Sequence, residues 1–299
     1  MSEPVTTVVV TYNSAHVIDG LLDSLGPALD GLASDTVVVD NSSTDGTVDV
    51  VGRRDDVTLV RAPNLGYAAG INRGVAASAG SGPILILNPD VRLEPGSVRA
   101  LLEALRRPGT GVAAPRVLDS TGALVPSMRR EPTLARNLGL GGTGRPRFAE
   151  YVEEPGAYDA PAVCDWALGA VLLVSRECHE ALGGWDESFF LYSEETDFCL
   201  RARDRGFVTR YEPSAVAMHI AGQSGRSPRI HAMQILNRVR LYRRRHSAVA
   251  STAYYLLSVL SEISWVLRGH RDSRGALRAL VWRPARPAEL GLSGSLVPR

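Results

Sequence analysis

The amino-acid sequence predicts an α/β fold in which helices flank a mostly parallel central sheet. Short apolar runs of strand length alternate with helical segments over the first 115 residues. The run at 84–87, Ile-Leu-Ile-Leu, is apolar at every position, as in strands that are covered on both faces. Strands that alternate with helices pair in parallel through right-handed crossovers. A helical extension is predicted after residue 222, where the sequence changes character.

The predicted elements follow from local patterns of apolar and turn-forming residues. Apolar runs predict strands at 5–10, 36–39, 57–60, 84–87, 111–115, 164–174, 208–211 and 215–219. Apolar residues at helical spacing predict helices at 14–25, 47–51, 95–106, 176–182 and 194–205. Ser14 and Ser193 are the predicted N-caps of the first and last of these helices. Small residues within 64–74 allow close packing of a helix on the sheet, or close approach of a ligand to the backbone.

Two later regions depart from this alternation. Residues 120–161 are rich in Gly, Pro and charge, which is typical of a functional loop or of a disordered one. Residues 226–246 contain seven Arg and no acid. Residues 254–267 are apolar and aromatic, but the stretch is too short and too polar for a transmembrane helix. The last two stretches predict either a surface that lies on an anionic membrane or two ordinary helices packed on the rest of the chain.

Composition narrows the class of protein. The chain has 299 residues, of which 44% are hydrophobic and 22% charged, as in soluble globular proteins. Its net charge of +1 argues against a general nucleic-acid binder. Three cysteines without a CxxC pair predict a reducing compartment and neither a zinc site nor a disulfide framework. We recognise no secretory signal, and residues 294–299 look like the remnant of a protease-cleaved expression tag.

Acidic residues stand at the ends of predicted strands and at the start of a predicted helix, where an open α/β sheet binds its ligands. The candidates, with one histidine that ends a late strand, are Asp40, Asp90, Glu194, Glu195, Asp197 and His219. Carboxylates and an imidazole suit Mn²⁺ or Mg²⁺, which would neutralise a diphosphate.

Each candidate also has a structural explanation that the sequence leaves open. Asp40 and the tripeptide Asn88-Pro89-Asp90 are ordinary turn formers. Glu194 is suited to a helix start, where the helix dipole favours negative charge. His219 is also explained as a structural residue at the end of its strand.

Three common signatures are missing from the sequence. No glycine-rich loop ends in Lys-Ser or Lys-Thr, no GxGxxG follows the first strand, and no GxSxG occurs. The sequence therefore disfavours a P-loop nucleotidase, a nicotinamide-dependent dehydrogenase and an α/β-hydrolase.

Several motifs nevertheless occur in a characteristic order along the chain. They are Val8-Val9-Val10-Thr11-Tyr12-Asn13, Val37-Val38-Val39-Asp40-Asn41-Ser42-Ser43-Thr44-Asp45-Gly46, Asn64-Leu65-Gly66-Tyr67-Ala68-Ala69-Gly70-Ile71-Asn72, Leu87-Asn88-Pro89-Asp90, Gly169-Ala170, the stretch 189–197 and His219. This ordered set resembles the inverting glycosyltransferases of family 2, which have the GT-A fold, a Rossmann-like sheet flanked by helices. The resemblance covers residues 5–222. Within the family it points to actinobacterial rhamnosyltransferases, which move L-rhamnose from dTDP-rhamnose to polyprenyl-diphosphate-linked GlcNAc.

The resemblance implies a role for each matching residue. Nucleotide-sugar contacts are implied for Thr11, Tyr12, Asn13, Asp40, Asn64, Gly66, Asn72, Asn88 and Asp90. Asp40 would contact the nucleobase. Asp90, the last acid of the family's DxD motif, would bind a metal ion, Mn²⁺ or Mg²⁺, together with His219.

The resemblance also implies the residues of the reaction itself. Glu195 stands at the position of the catalytic base, and Glu194 and Asp197 would support it. Trp166, Gly169 and Ala170 would line the acceptor side.

Two departures from the family pattern bear on this assignment. Asn88 replaces the first acid of DxD, so the metal would be held more loosely. Glu195 stands where Asp is frequent, which lengthens the reach by one methylene group.

The implied protein is a metal-dependent hexosyltransferase of cell-wall polysaccharide synthesis. Its catalytic domain would span 1–222, with a nucleotide-sugar half to about residue 115 and an acceptor half from 116, followed by a helical extension over 223–293. A dTDP- or UDP-sugar donor and a lipid-linked acceptor are expected, with no nucleic acid. We expect a cytoplasmic protein with peripheral contact at the inner face of the plasma membrane, and a homodimer is compatible.

Two other functions compete with this one. A nucleotidyltransferase would carry a basic glycine-rich loop after the first strand, which Thr11-Tyr12-Asn13-Ser14 does not provide. A non-catalytic nucleotide-sugar-binding module would bind the donor with metal but release no diphosphate.

Overall fold

The computed structural model describes residues 4–220 and 227–290 and has a mixed α/β architecture. The strands are β1 (Val5–Thr11), β2 (Ser34–Asp40), β3 (Thr58–Arg61), β4 (Ile84–Leu87), β5 (Val91–Leu93), β6 (Thr110–Leu118), β7 (Leu124–Val125), β8 (Met128–Arg129), β9 (Ala162–Cys164), β10 (Trp166–Ala167), β11 (Val171–Val174) and β12 (Val208–His219). The helices are α1 (Ile18–Leu29), α2 (Thr47–Val51), α3 (Tyr67–Ala77), α4 (Ser97–Leu105), α5 (Arg176–Leu182), α6 (Glu194–Asp204), α7 (Pro228–Arg245), α8 (Ala248–Leu267) and α9 (Arg271–Val281). The boundary expected at residue 222 and the tag remnant expected at 294–299 lie outside the described residues.

The central sheet has the order β3-β2-β1-β4-β11-β6-β12-β5. Its first four strands pair in parallel, as the alternation of strands and helices predicts. The second half is mixed, because β11 runs antiparallel to both β4 and β6 while β12 runs parallel to β6. Strands β1, β2 and β4 therefore end at one edge of the sheet, next to the start of β11.

Helices cover both faces of the sheet. On one face α1 and α4 bury apolar side chains against β1, β4 and β11. On the other face α3, α5 and α6 form a second layer of the core. Gly70 and Gly74 of α3 lie so close to β1 that a Cβ atom would come within 2.6 Å of Val10 and 2.4 Å of Val8. The prediction of close helix-on-sheet packing in 64–74 is confirmed.

Two predicted helix caps are wrong. Helix α1 begins at Ile18 and not beside Ser14, whose carbonyl instead accepts turn hydrogen bonds from Val17 and Ile18. Ser193 directly precedes α6, but its backbone is left-handed with φ 73°, and its side chain does not cap the helix.

Other boundaries differ because tertiary contacts decide them. The predicted strand at 164–174 is interrupted into β9, β10 and β11. The strands predicted at 208–211 and 215–219 are one strand, β12, with a register shift between Glu212 and Val216 where it pairs with β6. Strand β5 was not predicted from the sequence, and within 4–220 and 227–290 its one partner strand is β12. Residues 120–161 are largely irregular, with β7, β8 and the 3₁₀ turns Arg136–Leu138, Gly141–Thr143 and Pro146–Phe148.

The C-terminal helices pack on the part of the chain that precedes them. They share a core cluster with Leu134, Phe190 and Leu191. Three arginines of α7 pair with acids of that part: Arg238 pairs with Glu150, Arg244 lies 2.6 Å from Asp186, and Arg245 lies 2.8 Å from Asp204. For α7 these contacts favour the alternative of a helix packed on the rest of the chain. Among the described residues no helix is long and apolar enough to cross a membrane.

Candidate active site

Asp90 and His219 meet at the edge of the sheet. Asp90 follows β4, and His219 ends β12 directly opposite Val91 of β5. The Ile220 amide donates a hydrogen bond to the Asp90 carbonyl at 2.9 Å, which fixes the two chain ends side by side. His219 Nε2 lies 3.2 Å from Asp90 Oδ1, and both side chains are about one fifth exposed.

This pair has the ligand types that a hard divalent cation accepts, one carboxylate and one imidazole. Residues 4–220 and 227–290 hold no group of three or more His, Cys, Asp or Glu side chains that could enclose a metal by themselves. The donor set therefore fits an ion that takes its remaining ligands from a bound phosphate group and water, as Mg²⁺ commonly does.

Asp40 lies at the same edge, at the ends of two neighbouring strands. Thr11 is the register partner of Asp40, and its hydroxyl donates to Asp40 Oδ1 at 3.2 Å. The amide of Ser43 donates to Oδ2 at 3.0 Å. Asp40 is buried, and these two hydrogen bonds hold its carboxylate in one orientation at the turn. Each carboxylate oxygen still has a lone pair that can accept another hydrogen bond.

The residues after Thr11 are more open. Tyr12 is 56% exposed. Asn13 has a left-handed backbone, its amide donates to Ser43, and its side-chain oxygen accepts from the amide of Thr44 at 2.8 Å. These contacts join the loop after β1 to the loop after β2 and form one rim of the candidate site.

Gly66 packs the loop before α3 against the segment before α6. Its φ of 101° and a Cβ clash at 2.4 Å with the Phe190 carbonyl oxygen both require glycine. The side-chain oxygen of Asn64 accepts a hydrogen bond from the Gly66 amide at 3.2 Å. The Tyr67 amide donates a hydrogen bond to the Phe190 carbonyl oxygen at 2.7 Å. The 64–67 loop therefore lies against the segment that leads to Glu194.

Asn72 is engaged with a different loop. Its side chain exchanges hydrogen bonds with the backbone of Trp185 and donates to Glu187 at 2.9 Å. A role of Asn72 in binding the donor stays a prediction, and its visible contacts hold the 185–187 segment on α3.

Two consecutive residues with left-handed backbone directly precede Glu194 and Glu195. Tyr192 and Ser193 have φ 65° and 73°, and α6 begins at Glu194. Such backbone costs about 1 kcal/mol or more at a residue other than glycine, so it persists only where the surroundings hold it. Asn237 of α7, fully buried, donates to the carbonyl oxygens of Leu191 at 2.9 Å and Tyr192 at 3.2 Å.

The carboxyl groups of Glu194 and Glu195 are unusual in their surroundings. Each has an Oε2 atom that is buried without a hydrogen-bond partner among the described residues. Burial raises the pKa of Glu194 well above its usual range, and the adjacent charge of Glu195 raises it further. Burial also raises the pKa of Glu195, while backbone hydrogen bonds and the charge of Arg129 act in the opposite direction.

Asp197 has a different partner. Its Oδ2 lies 2.6 Å from Arg201 one turn later on α6. Arg201 in turn donates to the carbonyl oxygens of Leu182 and Gly184. Asp197 therefore ties α6 to the end of α5, which fits a supporting position.

The turn at Gly169 and Ala170, which the sequence predicts on the acceptor side, lies between the two acidic regions. A Cβ on Gly169 would lie 3.2 Å from Cβ of Glu195, so the Glu195 side chain rests directly on this glycine. The next residue, Ala170, accepts the Asn88 amide at 2.9 Å. The turn thus joins Glu195 on one side to the Asn88-Pro89-Asp90 loop on the other. Trp166 is buried nearby in β10, and its indole donates to the Arg130 carbonyl at 3.0 Å.

Three residues of this region were not predicted from the sequence. The hydroxyl of Tyr67 is buried without a hydrogen-bond partner among the described residues; burial raises its pKa, and the charges of Glu194, Glu195 and Asp90 add to the effect. Arg129 is buried between Tyr151 and Trp166, with its guanidinium over both rings. Asn237 comes from the C-terminal helices. Tyr67 lies within the motif at 64–72, and this position in the sequence was the one signal that could have identified it.

Comparison with known proteins gives a family. The model of glycosyl transferase family 2 matches residues 6–157. An N-acetylglucosaminyl-diphospho-decaprenol L-rhamnosyltransferase of Mycobacterium tuberculosis is 34% identical over 250 residues, which cover 77% of this chain and 81% of that one. A low-salt glycan biosynthesis hexosyltransferase of Haloferax volcanii is 30% identical over 207 residues, 68% of this chain and 62% of that one.

Solved structures support the fold. A mannosyltransferase of Pyrobaculum calidifontis, in complex with GDP-Man and Mn²⁺, superposes with a TM-score of 0.58 at 16% identity and covers 99% of this chain and 89% of that one. TarS of S. aureus, in complex with UDP-GlcNAc, gives 0.57 at 16% identity and covers 98% of this chain and 84% of that one. The predicted α/β fold with a C-terminal helical region is confirmed.

Proposed function

Because the chain belongs to glycosyl transferase family 2, we propose that it transfers L-rhamnose from dTDP-rhamnose to a hydroxyl of a polyprenyl-diphosphate-linked sugar. The observation that carries the proposal is the junction at Gly169-Ala170, which brings Glu195 beside the loop that ends at Asp90. A base and a phosphate-side carboxylate must lie on either side of the reacting sugar, and this junction supports that arrangement. The rhamnosyltransferase relative supports the choice of sugar and acceptor.

Glu195 acts as the general base. Its unpartnered Oε2 accepts the proton of the acceptor hydroxyl while the acceptor oxygen attacks the anomeric carbon. The bond to the nucleoside diphosphate breaks on the opposite face, so one displacement inverts the anomeric centre. Burial raises the pKa of Glu195, which makes the carboxylate a stronger base than an exposed one.

Asp90 and His219 hold the divalent ion, Mn²⁺ or Mg²⁺, which when bound offsets the negative charge of the diphosphate. Thr11, Tyr12, Asn13, Asp40, Asn64, Gly66, Asn72 and Asn88 are proposed to form the surface for the nucleotide sugar. Trp166, Gly169 and Ala170 are proposed to face the acceptor, with Glu194 and Asp197 supporting the base.

A donor screen followed by a transfer assay tests the proposal. A ligand that binds the native state raises its melting temperature. With Mn²⁺ present, dTDP is expected to stabilise the protein more than UDP or GDP. The protein should then release dTDP from dTDP-rhamnose only when a prenyl-diphosphate-linked GlcNAc is added. Preference for UDP or GDP would reject the proposed donor.

The competing functions give different results in the same assays. A nucleotidyltransferase would release pyrophosphate from dTTP and a sugar phosphate. A binding module would be stabilised by the donor and would release no diphosphate with any acceptor. The catalytic domain over 1–222, the cytoplasmic location and a homodimer remain parts of the proposal.

A further inference from the structure

The outward side of α8 is apolar and uncovered by any described residue. Val249, Leu256, Leu260, Ile263 and Leu267 recur at intervals of seven, four, three and four residues. At 3.6 residues per turn they form one stripe along the helix. Their exposed fractions are 82%, 53%, 60%, 38% and 82%. We call these five residues the α8 stripe.

The α8 stripe is not the face that holds the helix on the protein. Tyr254, Ser258 and Glu262 recur every four residues on the other side and are buried. Tyr254 stacks on Tyr242 of α7, and Asn137 donates to Tyr254 and Ser258. The packing of α8 is therefore satisfied without the stripe, and loss of stripe residues should leave the fold intact.

The charged side chains of α8, α9 and the turn between them are mostly basic. Between residues 248 and 281 they are Arg268, Arg271, Arg274, Arg278, Glu262 and Asp272. Glu262 is buried and lies 3.0 Å from His231. None of the four arginines pairs with a carboxylate within the described ranges. The exposed charge of this helical pair is therefore predominantly basic.

Two tryptophans combine this charge with apolar surface. Arg268 lies 5.0 Å from the ring centre of Trp265, and Arg278 lies 4.5 Å from that of Trp282. Both rings are between 40% and 48% exposed, and Val281 beside Trp282 is exposed as well. Tryptophan and arginine side chains with an apolar body and a polar end are suited to the boundary between lipid headgroups and acyl chains.

We propose that the α8 stripe docks this protein on an anionic membrane, with α8 lying in the headgroup region and with Arg268 and the arginines of α9 on the lipid phosphates. An amphipathic helix with an apolar face and basic flanks binds such a surface without crossing it. The proposal assigns the membrane contact to α8 and α9, because Arg238, Arg244 and Arg245 of α7 already pair with acidic residues of the preceding part of the chain. It stands on these residues alone, and it suits a lipid-linked acceptor.

A second copy of the chain is a poorer occupant of this face. A two-fold dimer sets the same patch against itself, so the arginines of both copies would be brought together. Like charges in a desolvated interface are unfavourable. An anionic bilayer instead supplies both an apolar layer and the opposite charge.

Vesicle flotation of the full chain, without donor or acceptor, tests the proposal. Vesicles of equal parts phosphatidylglycerol and phosphatidylcholine should bind the protein, and vesicles of phosphatidylcholine alone should bind it far less. Leu260→Asp should weaken binding by about tenfold or more, since it replaces an apolar side chain that the membrane would bury with a charged one. Arg271→Gln should weaken it by about fivefold.

Matched controls separate the stripe from general effects. Val163→Asp changes an apolar residue of similar exposure on β9 and should bind vesicles like the wild type. Sedimentation equilibrium of wild type and Leu260→Asp tests the second-copy alternative. A wild-type dimer that this variant dissociates, or equal vesicle binding by Leu260→Asp and wild type, would overturn the proposal.

A transfer assay distinguishes this proposal from the proposed function. With a short, water-soluble acceptor analogue, Leu260→Asp should retain the wild-type rate. With a long-chain acceptor embedded in anionic vesicles its rate should fall. Normal transfer in both formats with no vesicle binding would reject membrane docking and leave the function intact. Vesicle binding without transfer in either format would support membrane docking and reject the proposed function.

Discussion

The buried side chain of Asn237 donates a hydrogen bond at 3.2 Å to the carbonyl oxygen of Tyr192, the first of two left-handed residues before the acidic pair. A second hydrogen bond from the same amide reaches Leu191 at 2.9 Å. The amide oxygen of Asn237 accepts from Arg240, which fixes the amide orientation. A residue of the C-terminal helices thus holds the backbone that carries Glu194 and Glu195.

Replacing Asn237 is expected to loosen this turn. Asn237→Ala removes two donors from buried carbonyl oxygens and should lower the free energy of unfolding by about 1–3 kcal/mol. Asn237→Asp should be worse, because its carboxylate oxygens would face carbonyl oxygens. Both variants should also transfer sugar more slowly, with a larger effect on kcat than on the KM for the donor.

Urea unfolding and initial rates measure these effects. Gln234→Ala, an exposed position on the same helix, is the matched control. If Asn237→Ala and Gln234→Ala have the same stability and the same kcat, the turn before α6 does not depend on the side-chain amide of Asn237.

The Asn237 contact also shows where sequence reasoning ends. The β-branched run of β1 and the apolar run of β4 predict strands because burial on two faces demands such residues. A three-residue strand such as β5 has no pattern of its own and forms because β12, more than 120 residues later, lies beside it. Asn237 likewise acts on backbone atoms 45 and 46 residues away, and backbone acceptors leave no trace in side-chain patterns.

The sequence indicated most residues of the candidate site, including Trp166, Gly169 and Ala170, but not how they lie relative to one another. The motifs indicated Asp90, Glu195 and His219, and the structure brings Asp90 to His219 and the Asp90 loop to Glu195 through one turn. Ser193 was predicted as a cap because serine often caps helices. In the structure Ser193 precedes α6 with a left-handed backbone, and its side chain makes no capping hydrogen bond.

The rate of transfer is expected to depend on the ionisation of Glu195. Only the carboxylate accepts a proton, so the rate should fall as the pH falls through the folded-state pKa. Because burial raises that pKa, the acid limb of the kcat profile should lie above 4.5, the ordinary value for glutamate. Glu195→Gln should lose activity by about 10²-fold or more at every pH while still binding donor.

A pH series of initial rates, with donor titrations of the variant, measures both points. Glu180→Gln, a change of the same kind at an exposed glutamate, serves as control. Full activity of Glu195→Gln would remove this residue from the mechanism.

Glu194 should make the protein less stable at neutral pH. Its folded-state pKa is raised by burial and by Glu195, so the folded state binds the proton more tightly than the unfolded state. The stabilising contribution is complete below pH 4.5 and is lost as the pH rises through the raised value. Glu194→Gln should therefore raise the melting temperature at pH 8 more than at pH 5. Thermal unfolding at pH 5 and pH 8 measures this difference. An equal shift of the melting temperature at both pH values would contradict the burial of an unpaired Glu194 charge.

Gly169 is expected to matter for activity more than for stability. An added Cβ would lie 3.2 Å from Cβ and 3.3 Å from Cγ of Glu195, so Gly169→Ala would displace the base by a few tenths of an ångström. A reacting group that is slightly misplaced loses rate, and we expect kcat to fall by about tenfold or more. Gly142→Ala, where no atom lies within 4 Å of the new Cβ, is the control and should leave kcat unchanged. Equal rates for the two variants would show that Glu195 has room to move.

Removal of the Asp90 carboxylate should weaken donor binding only in the presence of metal. Asp90→Asn keeps the size of the side chain but gives a neutral ligand beside His219, and a hard cation binds an amide oxygen less strongly than a carboxylate. We expect the dissociation constant for dTDP with Mn²⁺ to rise by about 10- to 100-fold, the range seen when metal sites lose a supporting group. With EDTA, wild type and Asp90→Asn should bind dTDP equally weakly. Calorimetric titration measures both conditions, and Asp55→Asn, an exposed acid on the α2–β3 connection, is the control for lost negative charge. If Asp90→Asn retained the Mn²⁺-dependent gain in affinity, the ion would have to be held elsewhere, and the pairing of Asp90 with His219 would be structural alone.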